Sequence, residues 1–402
     1  MIKVAVMGHG VVGSGVVEIL NNNPVRGNEE FFVKRILDLR DFDVDYKDRF
    51  TKDFNDILND DEISVVAEVM GGISPAFDFV KSLLKAKKSV VTSNKELVAA
   101  KGAELLQIAK ENNVNFFFEA SVGGGIPVIR PMHHCLLANN ITEVAGILNG
   151  TTNFILTKMI HEGMDFDTAL KIAQDLGYAE RNPSADVDGH DACRKICILA
   201  ALAFGEHVYP QNVYTEGITA LTLEDVEYAE NINSVIKLIG RTKKNKNGLE
   251  VSVFPALIKK GSQLSTIDDV FNGVLVRGDS VGDVVFYGRG AGKLPTASAV
   301  VADIIDAAKR NTTDDTLAWK DTEENNVVDC KEIPFTYYIR LENADKQAID
   351  KVFDSPLYLT RENAPKNEVA FMTSEMNENE LTSKLKTLSD AKLLQRIRML
   401  NY

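Results

Sequence analysis

The 402-residue sequence predicts an α/β fold in three parts: an N-terminal doubly wound parallel sheet, an α+β second domain with an open sheet, and a small C-terminal α+β module. Three observations carry that prediction. Strand-like and helical runs alternate as far as Gly125, which is the pattern of a parallel sheet. A glycine run, GHGVVGSG at 8–15, separates the first strand from the first helix. After Asn139 the pattern changes to a strand, several helices and three further strand-like runs. A chain of this length suits two or three domains, and 45% hydrophobic with 26% charged residues is ordinary for a globular protein.

The first strand is IKVAVM at 2–7, and the glycine run opens an amphipathic helix to about Asn22. Gly8, Gly10 and Gly13 stand there as a dinucleotide fingerprint, permitting a tight turn and close approach of a pyrophosphate to the amides of the helix N-terminus. A lone G-x-G-x-x-G is weak; this one has the required strand before it and helix after it. The next strand, about 32–38, ends at Asp38, which could accept from both ribose hydroxyls of NAD, while Arg40 could hold the 2′-phosphate of NADP. Both alternatives stay open. Further strands are expected at 64–72, 89–95 and 115–125, with helices near 75–86 and 96–112. Lys95 ends one of these strands toward the expected crevice, where it either meets substrate or nicotinamide or is a solvated lysine. The loop ASVGGGIP at 120–127, after Glu119, is glycine-rich enough for its carbonyls to cradle substrate or a monovalent cation. His133, His134 and Cys135 suggest a metal trio, but adjacent residues on a helix point in different directions.

In the second domain a strand is followed by a GTTN turn at 150–153 and by an amphipathic helix, TALKIAQDLG at 168–177. The loop beyond it gathers Glu180, Asp186, Asp188 and Asp191 just ahead of Lys195. These carboxylates repel one another unless positive charge sits among them. A substrate ammonium plus Lys195 supplies it more readily than a metal, since no histidines accompany them. Asp191 and Lys195 lie four residues apart on one helix face. Such a pair is ordinarily an exposed salt bridge of little consequence. Here the continuation ICILAALAF at 196–204 is apolar all round and belongs in a core, so the pair should face a pocket, where burial draws a lysine toward neutrality. TLEDVEYAENINSVIKLIG at 222–240 reads as one capped helix, and strands follow at 250–258, 271–279 and 283–290. The glycine-rich turn from Gly288 leads into a helix over 295–309 that is expected to return to the first domain and help form an interdomain cleft. An acidic stretch at 311–330 reads as a linker, and the final part shows a strand at 335–343 and a later strand and helix over 368–388.

Charge and cysteines narrow the function classes. With 45 Lys plus Arg against 58 Asp plus Glu, the net charge of −13 argues against non-specific binding to nucleic acid or an anionic membrane. Cys135, Cys193, Cys197 and Cys330 have neither the density nor the spacing of a disulfide framework, which suits a reduced interior. The opening strand leaves no room for a signal peptide and no apolar run approaches the ~20 residues of a membrane span, so a cytoplasmic protein is expected.

In order along roughly 1–310, GHGVVGSGV, EVMGG, VVTSNKELVA, FEASVGGGIPVIRP, GILNGTTNFIL, LGYAE, NPSADVDGHDACRK and GRGAGKLPTASAVVADIIDAA resemble homoserine dehydrogenase. The combination is far more specific than any one motif. The resemblance implies a Rossmann domain at 1–135, a catalytic and dimerisation domain at 136–310, the linker at 311–330 and a degenerate ACT-like module at 331–402. It implies NAD(P)H-dependent reduction of L-aspartate 4-semialdehyde to L-homoserine, on the route to threonine and methionine, by a homodimer or homotetramer. Lys195 and Lys95 would be the catalytic lysines, with Lys195 the proton donor and Asp191 its supporting carboxylate. Glu180, through the substrate ammonium, and Asp186, Gly150 and Thr151 would hold substrate. Gly8, Gly10, Val11, Val12, Gly13, Asp38, Arg40, Ser93, Asn94, Lys95 and Gly292 would face the coenzyme. Backbone oxygens of Glu119, Val122, Gly124 and Ile126 would take a sodium-like cation.

Two departures stand out. Val11 replaces the usual threonine of the fingerprint, removing a hydroxyl but no backbone amide. The C-terminal module lacks the Gly-Val-Leu turn that such modules use around an amino-acid effector, so feedback by threonine is in doubt and support of a dimer is the plainer role. Aspartate-semialdehyde dehydrogenase is disfavoured because no cysteine stands at a comparable strand end. A non-enzymatic nucleotide sensor would need the fingerprint but not the carboxylate and lysine cluster. A fused aspartokinase is not expected, since the fingerprint stands at the N-terminus.

Overall fold

The structure, a computed structural model, describes residues 1–22, 31–309, 317–322 and 325–402. Its first sheet contains β1 (Ile2–Met7), β2 (Phe31–Leu37), β3 (Phe50–Thr51), β4 (Ile63–Glu68), β5 (Ser89–Thr92) and β6 (Phe116–Phe117). All pairings are parallel and the order is β3-β2-β1-β4-β5-β6. Val4 and Val6, Val65 and Val66, and Val90 and Val91 are buried, as strands covered on both faces require. The connecting helices include α1 (Val11–Asn22), α2 (Asn55–Leu58), α3 (Ala76–Lys85) and α4 (Lys95–Glu111). Strand order reverses between β1 and β4, which opens a crevice at their carboxyl ends.

The expected strand at 115–125 is one only over Phe116–Phe117. Beyond it the Glu119 amide donates to Asp303 and the Glu119 carboxylate accepts from the amides of Val128, Ile129 and Arg130, so the chain is drawn out of the sheet.

The second sheet is built from β7 (Ile141–Ile147), β8 (Tyr214–Thr215), β9 (Ser234–Asn245), β10 (Gly248–Lys259), β11 (Phe271–Gly278), β12 (Gly282–Arg289), β13 (Thr336–Glu342), β14 (Leu357–Leu359), β15 (Glu368–Met372) and β16 (Lys392–Leu400). Its order is β12-β11-β7-β9-β10-β16-β13-β15-β14, with β8 beside β10. Helices α5 (Gly150–Glu162), α6 (Phe166–Asp175), α7 (Ser184–Val187), α8 (His190–Phe204) and α9 (Leu223–Asn231) belong to this half. GTTN, expected as a turn, is instead the first turn of α5, because Asn149 caps it by accepting from the Thr152 amide. The expected helix at 222–240 ends at Asn231. Asn233 has φ +52 and the run from Ser234 pairs along its whole length with β10. A short apolar run bounded by β-branched residues fits a buried strand as well as a helix, and here the long pairing partner decides.

Helix α10 (Lys293–Lys309) returns to the first domain and packs on α1, with Ala297 against Gly15. Of the 311–330 stretch, 311–316 and 323–324 lie outside the described residues. In the rest, Leu317, Trp319 and Cys330 are buried, and Trp319 lies against Gly102 of α4 and donates to His207 Nδ1 at 2.9 Å. The last segment runs β13, α11 (Lys346–Val352), β14, β15, α12 (Glu378–Thr387), β16, a βαββαβ order. Its strands continue the second sheet, since β16 pairs in parallel with β10. Among the described residues, no helix is long and apolar enough to cross a membrane.

Candidate active site

A cleft of about 590 Å³ opens between the two halves. The first sheet contributes Val11 and Val12 at the start of α1, Ser93 and Lys95 after β5, and the loop with Val122 and Gly124. The second contributes Asn149, Gly150 and Thr151 at the start of α5, then Glu180, Asp186, Asp191 and Lys195. Gly290, Gly292 and Thr296 close the side nearest α10. Residues far apart in sequence therefore share one space.

Lys195 sits at the second turn of α8, and burial of Ile196 through Ala201 behind it fixes the helix deep in the core. Its ammonium donates to the Leu148 carbonyl at 2.8 Å and to Asp191 Oδ2 at 2.8 Å. An ammonium has three protons, so one remains to point elsewhere. Asp191 is paired on its other oxygen with Lys95. The carboxylate thus bridges both lysines, not Lys195 alone. Asn149 completes the arrangement, donating through Nδ2 to Asp186 Oδ1 at 2.7 Å and Asp191 Oδ2 at 2.9 Å while Oδ1 caps α5.

The electrostatics follow from burial. Burial opposes ionisation of Asp191, yet Lys195 and Lys95 outweigh it and hold the carboxyl well below its usual range. Lys195 is drawn below the ordinary lysine value, mainly by burial, which its attraction to Asp191 does not fully offset. Lys95 is more open, with 39% of its side chain exposed. Burial pulls it down, but Asp191 raises it further, so it stays firmly charged. Burial pushes Asp186 upward. Two lysines on neighbouring elements therefore differ in their readiness to release a proton.

The fingerprint glycines fit a dinucleotide. Added to Gly13, a Cβ would lie 1.9 Å from the Gly8 carbonyl oxygen, so α1 can approach β1 only with glycine there. A Cβ on Gly10 would meet nothing within 4 Å, leaving open space before the helix N-terminus where a pyrophosphate would sit. His9, which the sequence reading passed over, gives its backbone amide to Asp38 at 2.8 Å, and its ring packs on Phe42 and Phe50. Asp38 and Arg40 line a separate hollow with Lys47 and Lys52. There Arg40 Nε and Nη2 bind both Asp38 oxygens, at 3.0 and 2.9 Å, and hold that carboxyl well below its usual range.

Other expected residues are placed differently. The Asn94 side chain caps α4 at Leu97 and donates to the Gly72 carbonyl, so both ends serve the local fold. Glu119 is buried, with its carboxylate on the 128–130 amides and Arg130, and Ile126 is buried as well. Among the described residues no group of three His, Cys, Asp or Glu side chains could hold a metal. Asn149 was missed as a functional residue, although its place immediately before GTT marked a cap. Asn272, also missed, lines the cleft from β11.

Comparison with known proteins agrees with this layout. Residues 127–305 match the family model for homoserine dehydrogenase, and residues 8–119 match the model for the homoserine dehydrogenase NAD-binding domain. A homoserine dehydrogenase from Synechocystis sp. is 43% identical over 318 residues, covering 76% of this chain and 72% of that protein. The crystal structure of a homoserine dehydrogenase from Thiobacillus denitrificans superposes with a TM-score of 0.88 at 35% identity, covering 100% of this chain and 98% of the other. A hyperthermophilic archaeal homoserine dehydrogenase in complex with NADPH gives a TM-score of 0.67 at 29% identity, covering 76% of this chain and 97% of that one.

Proposed function

This chain belongs to the homoserine dehydrogenase family, and on that premise we propose how its cleft performs the reaction. The protein is an NAD(P)-dependent oxidoreductase acting on a CH–OH group, interconverting L-aspartate 4-semialdehyde and L-homoserine. The observation that carries the proposal is the Lys95–Asp191–Lys195 bridge in the interdomain cleft, with one lysine buried and the other half-buried.

When bound, the reduced coenzyme supplies a hydride to the aldehyde carbon. Negative charge then grows on the carbonyl oxygen, and an ammonium beside it stabilises that charge. Lys195 donates the proton, because burial makes its ammonium the more acidic of the two. In the reverse direction the neutral Lys195 amine accepts the hydroxyl proton of homoserine. Asp191 holds both lysines in place and keeps Lys95 charged, so Lys95 orients the substrate oxygen without exchanging its own proton. Glu180 and Asp186 take the substrate ammonium, and the amides of Gly150 and Thr151 at the start of α5 face its carboxylate.

Gly8, Gly10 and Gly13, with Val11 and Val12, carry the pyrophosphate, and Ser93, Lys95 and Gly292 border the nicotinamide end. The loss of a hydroxyl at Val11 changes affinity without abolishing binding, because the helix amides remain. Asn94 acts by positioning Lys95 at the start of α4. A monovalent cation is assigned to the backbone oxygens of Glu119, Val122, Gly124 and Ile126, with a structural role. We place the protein in the cytoplasm as a homodimer or homotetramer, with no nucleic-acid or membrane partner. The 331–402 segment, ACT-like in its βαββαβ order, supports assembly. Absorbance at 340 nm with homoserine and either NAD or NADP at alkaline pH tests the activity (340 nm being about the absorption maximum of reduced nicotinamide). Reduction of either nucleotide by wild type, with a large loss in Lys195→Ala, is the expected result, and no turnover with either would refute the proposal.

A further inference from the structure

We infer that Trp319 is a positioning residue for the reaction: seated in a socket on the first domain while its own segment is fastened to the second, it fixes how closely the helices bearing Lys95 and Lys195 approach. Trp319 is the single tryptophan of the chain, buried in the 317–322 segment. That segment is bonded to the second domain just beyond the end of α8. The Lys320 amide donates to the Gly205 carbonyl at 3.0 Å, the His207 amide to the Lys320 carbonyl at 2.8 Å, and the Thr322 hydroxyl to the His207 carbonyl at 3.0 Å. The Tyr209 hydroxyl donates to Asp321 at 2.7 Å. The indole itself reaches the first domain, where its ring stands edge-on to Phe118 with centroids 5.5 Å apart and its Cζ2 lies over Gly102 of α4. This inference rests on the roles proposed above for the two lysines.

The fit of the socket is exact enough to dictate a residue. A Cβ on Gly102 would lie 2.7 Å from Trp319 Cζ2. Gly102 has ordinary helical backbone in the interior of α4, where glycine weakens a helix relative to alanine, so the approach of the indole is what it permits. The opposite edge of the ring is held by the second domain, since Nε1 donates to His207 Nδ1 at 2.9 Å. Burial draws His207 below the ordinary histidine value, which keeps its imidazole neutral and able to accept. Helix α4 begins at Lys95, and α8 carries Asp191 and Lys195. At the cleft these helices are joined by ion pairs, Lys95 with Asp191 and Arg194 with Glu96 at 3.0 Å. Long flexible side chains keep such pairs over a range of helix separations, whereas a close-packed ring does not. The separation matters for proton transfer. Asp191 and Asp186 raise the Lys195 value and Lys95 lowers it, so withdrawal of Lys95 makes the Lys195 ammonium less acidic.

The test compares the full chain with Trp319→Ala, with Gly102→Ala, and with Gly102→Ala combined with Trp319→Phe, whose smaller ring lacks the atom that the new methyl group strikes. Leu381→Ala, at a buried position on α12, controls for lost stability alone. Homoserine oxidation is followed across pH, coenzyme binding by nucleotide fluorescence, and the seating of Trp319 by its own emission. In Trp319→Ala and Gly102→Ala, kcat should fall about 10–100-fold while the coenzyme Kd stays within about twofold of wild type. The pH at which oxidation climbs should move upward by about 0.5 or more, because Lys95 no longer acidifies Lys195. Tryptophan emission should shift to the red in Gly102→Ala, and the double variant should regain much of the lost kcat together with the wild-type pH limb. Leu381→Ala should keep the wild-type limb, since a chain that is only less stable does not alter the titration of its folded fraction. A wild-type kcat in folded Gly102→Ala, a fall in kcat with an unmoved pH limb, or the same upward movement in Leu381→Ala would overturn the assignment. Near-normal turnover in Lys195→Ala would instead overturn the lysine roles on which it rests.

Discussion

Lys95, Asp191 and Lys195 in the cleft, and Glu216, Glu378, Arg396 and Arg398 where the C-terminal strands join the second sheet, are both partly or wholly buried ion clusters made of similar groups. Their cations differ. Arg398 is 1% exposed, bonds Glu216 at 2.9 Å and Glu378 at 2.6 Å, and lies between the rings of Tyr214 and Phe254, each 4.7 Å away. Arg396 reaches the same two glutamates. Two cations meet two anions there, and a guanidinium does not give up its proton at working pH. In the cleft two lysines share Asp191, and the more deeply buried lysine is displaced toward neutrality. A cluster closed on guanidinium groups holds structure together, whereas one that holds a buried lysine displaced toward neutrality beside an open cleft can pass a proton.

The largest expected difference is between Lys195→Ala and Arg398→Met. The first should lower kcat by about 10²–10⁴-fold with coenzyme affinity nearly unchanged, as steady-state rates and a coenzyme titration will show. The second should leave kcat within a few-fold while costing about 3–5 kcal/mol of stability in denaturant unfolding, because two glutamates lose a buried partner. Similar losses of kcat in both would erase the distinction.

A second contrast is in pH dependence. Because the Lys195 value lies below that of an ordinary lysine, the rate of homoserine oxidation should climb as pH rises through it, since the neutral amine is the base. Semialdehyde reduction should fall through the same interval, since the ammonium is the acid. The same displacement means the folded state releases this proton before the unfolded state does. Stability linked to Lys195 therefore increases as pH rises from its folded value toward the ordinary lysine value. Arg398 offers no such limb. Parallel profiles in the two directions would remove Lys195 from proton transfer.

The smallest effect belongs to the hollow that holds Asp38. Arg40→Ala frees the Asp38 carboxylate and removes a cation from the ribose end, so kcat/KM should shift from NADP toward NAD by about tenfold. An unchanged ratio would show that this ion pair is as inert toward the coenzyme as the Arg398 cluster is toward the substrate.

What could be read from the sequence was local. The fingerprint lies within a few residues of one strand and one helix, and the Asp191–Lys195 spacing with its apolar continuation already placed that pair facing a pocket. The contact of Lys95 with Asp191 joins different domains and has no sequence pattern. Asn149 was missed for the same reason: it matters through the pair of aspartates that folding sets beside it. The run from Ser234 was misread because apolar β-branched residues suit a buried strand and a buried helix alike, and only its long pairing with β10 decides. The junction of β16 with β10 was likewise invisible, being parallel and distant in sequence.

The most direct measurement is the single-turnover rate of homoserine oxidation by Lys195→Ala, with and without a small primary amine in solution. The account predicts a rate far below wild type that rises in proportion to the free-base amine, because the amine restores the missing proton acceptor. A near-wild-type rate without added amine would contradict it.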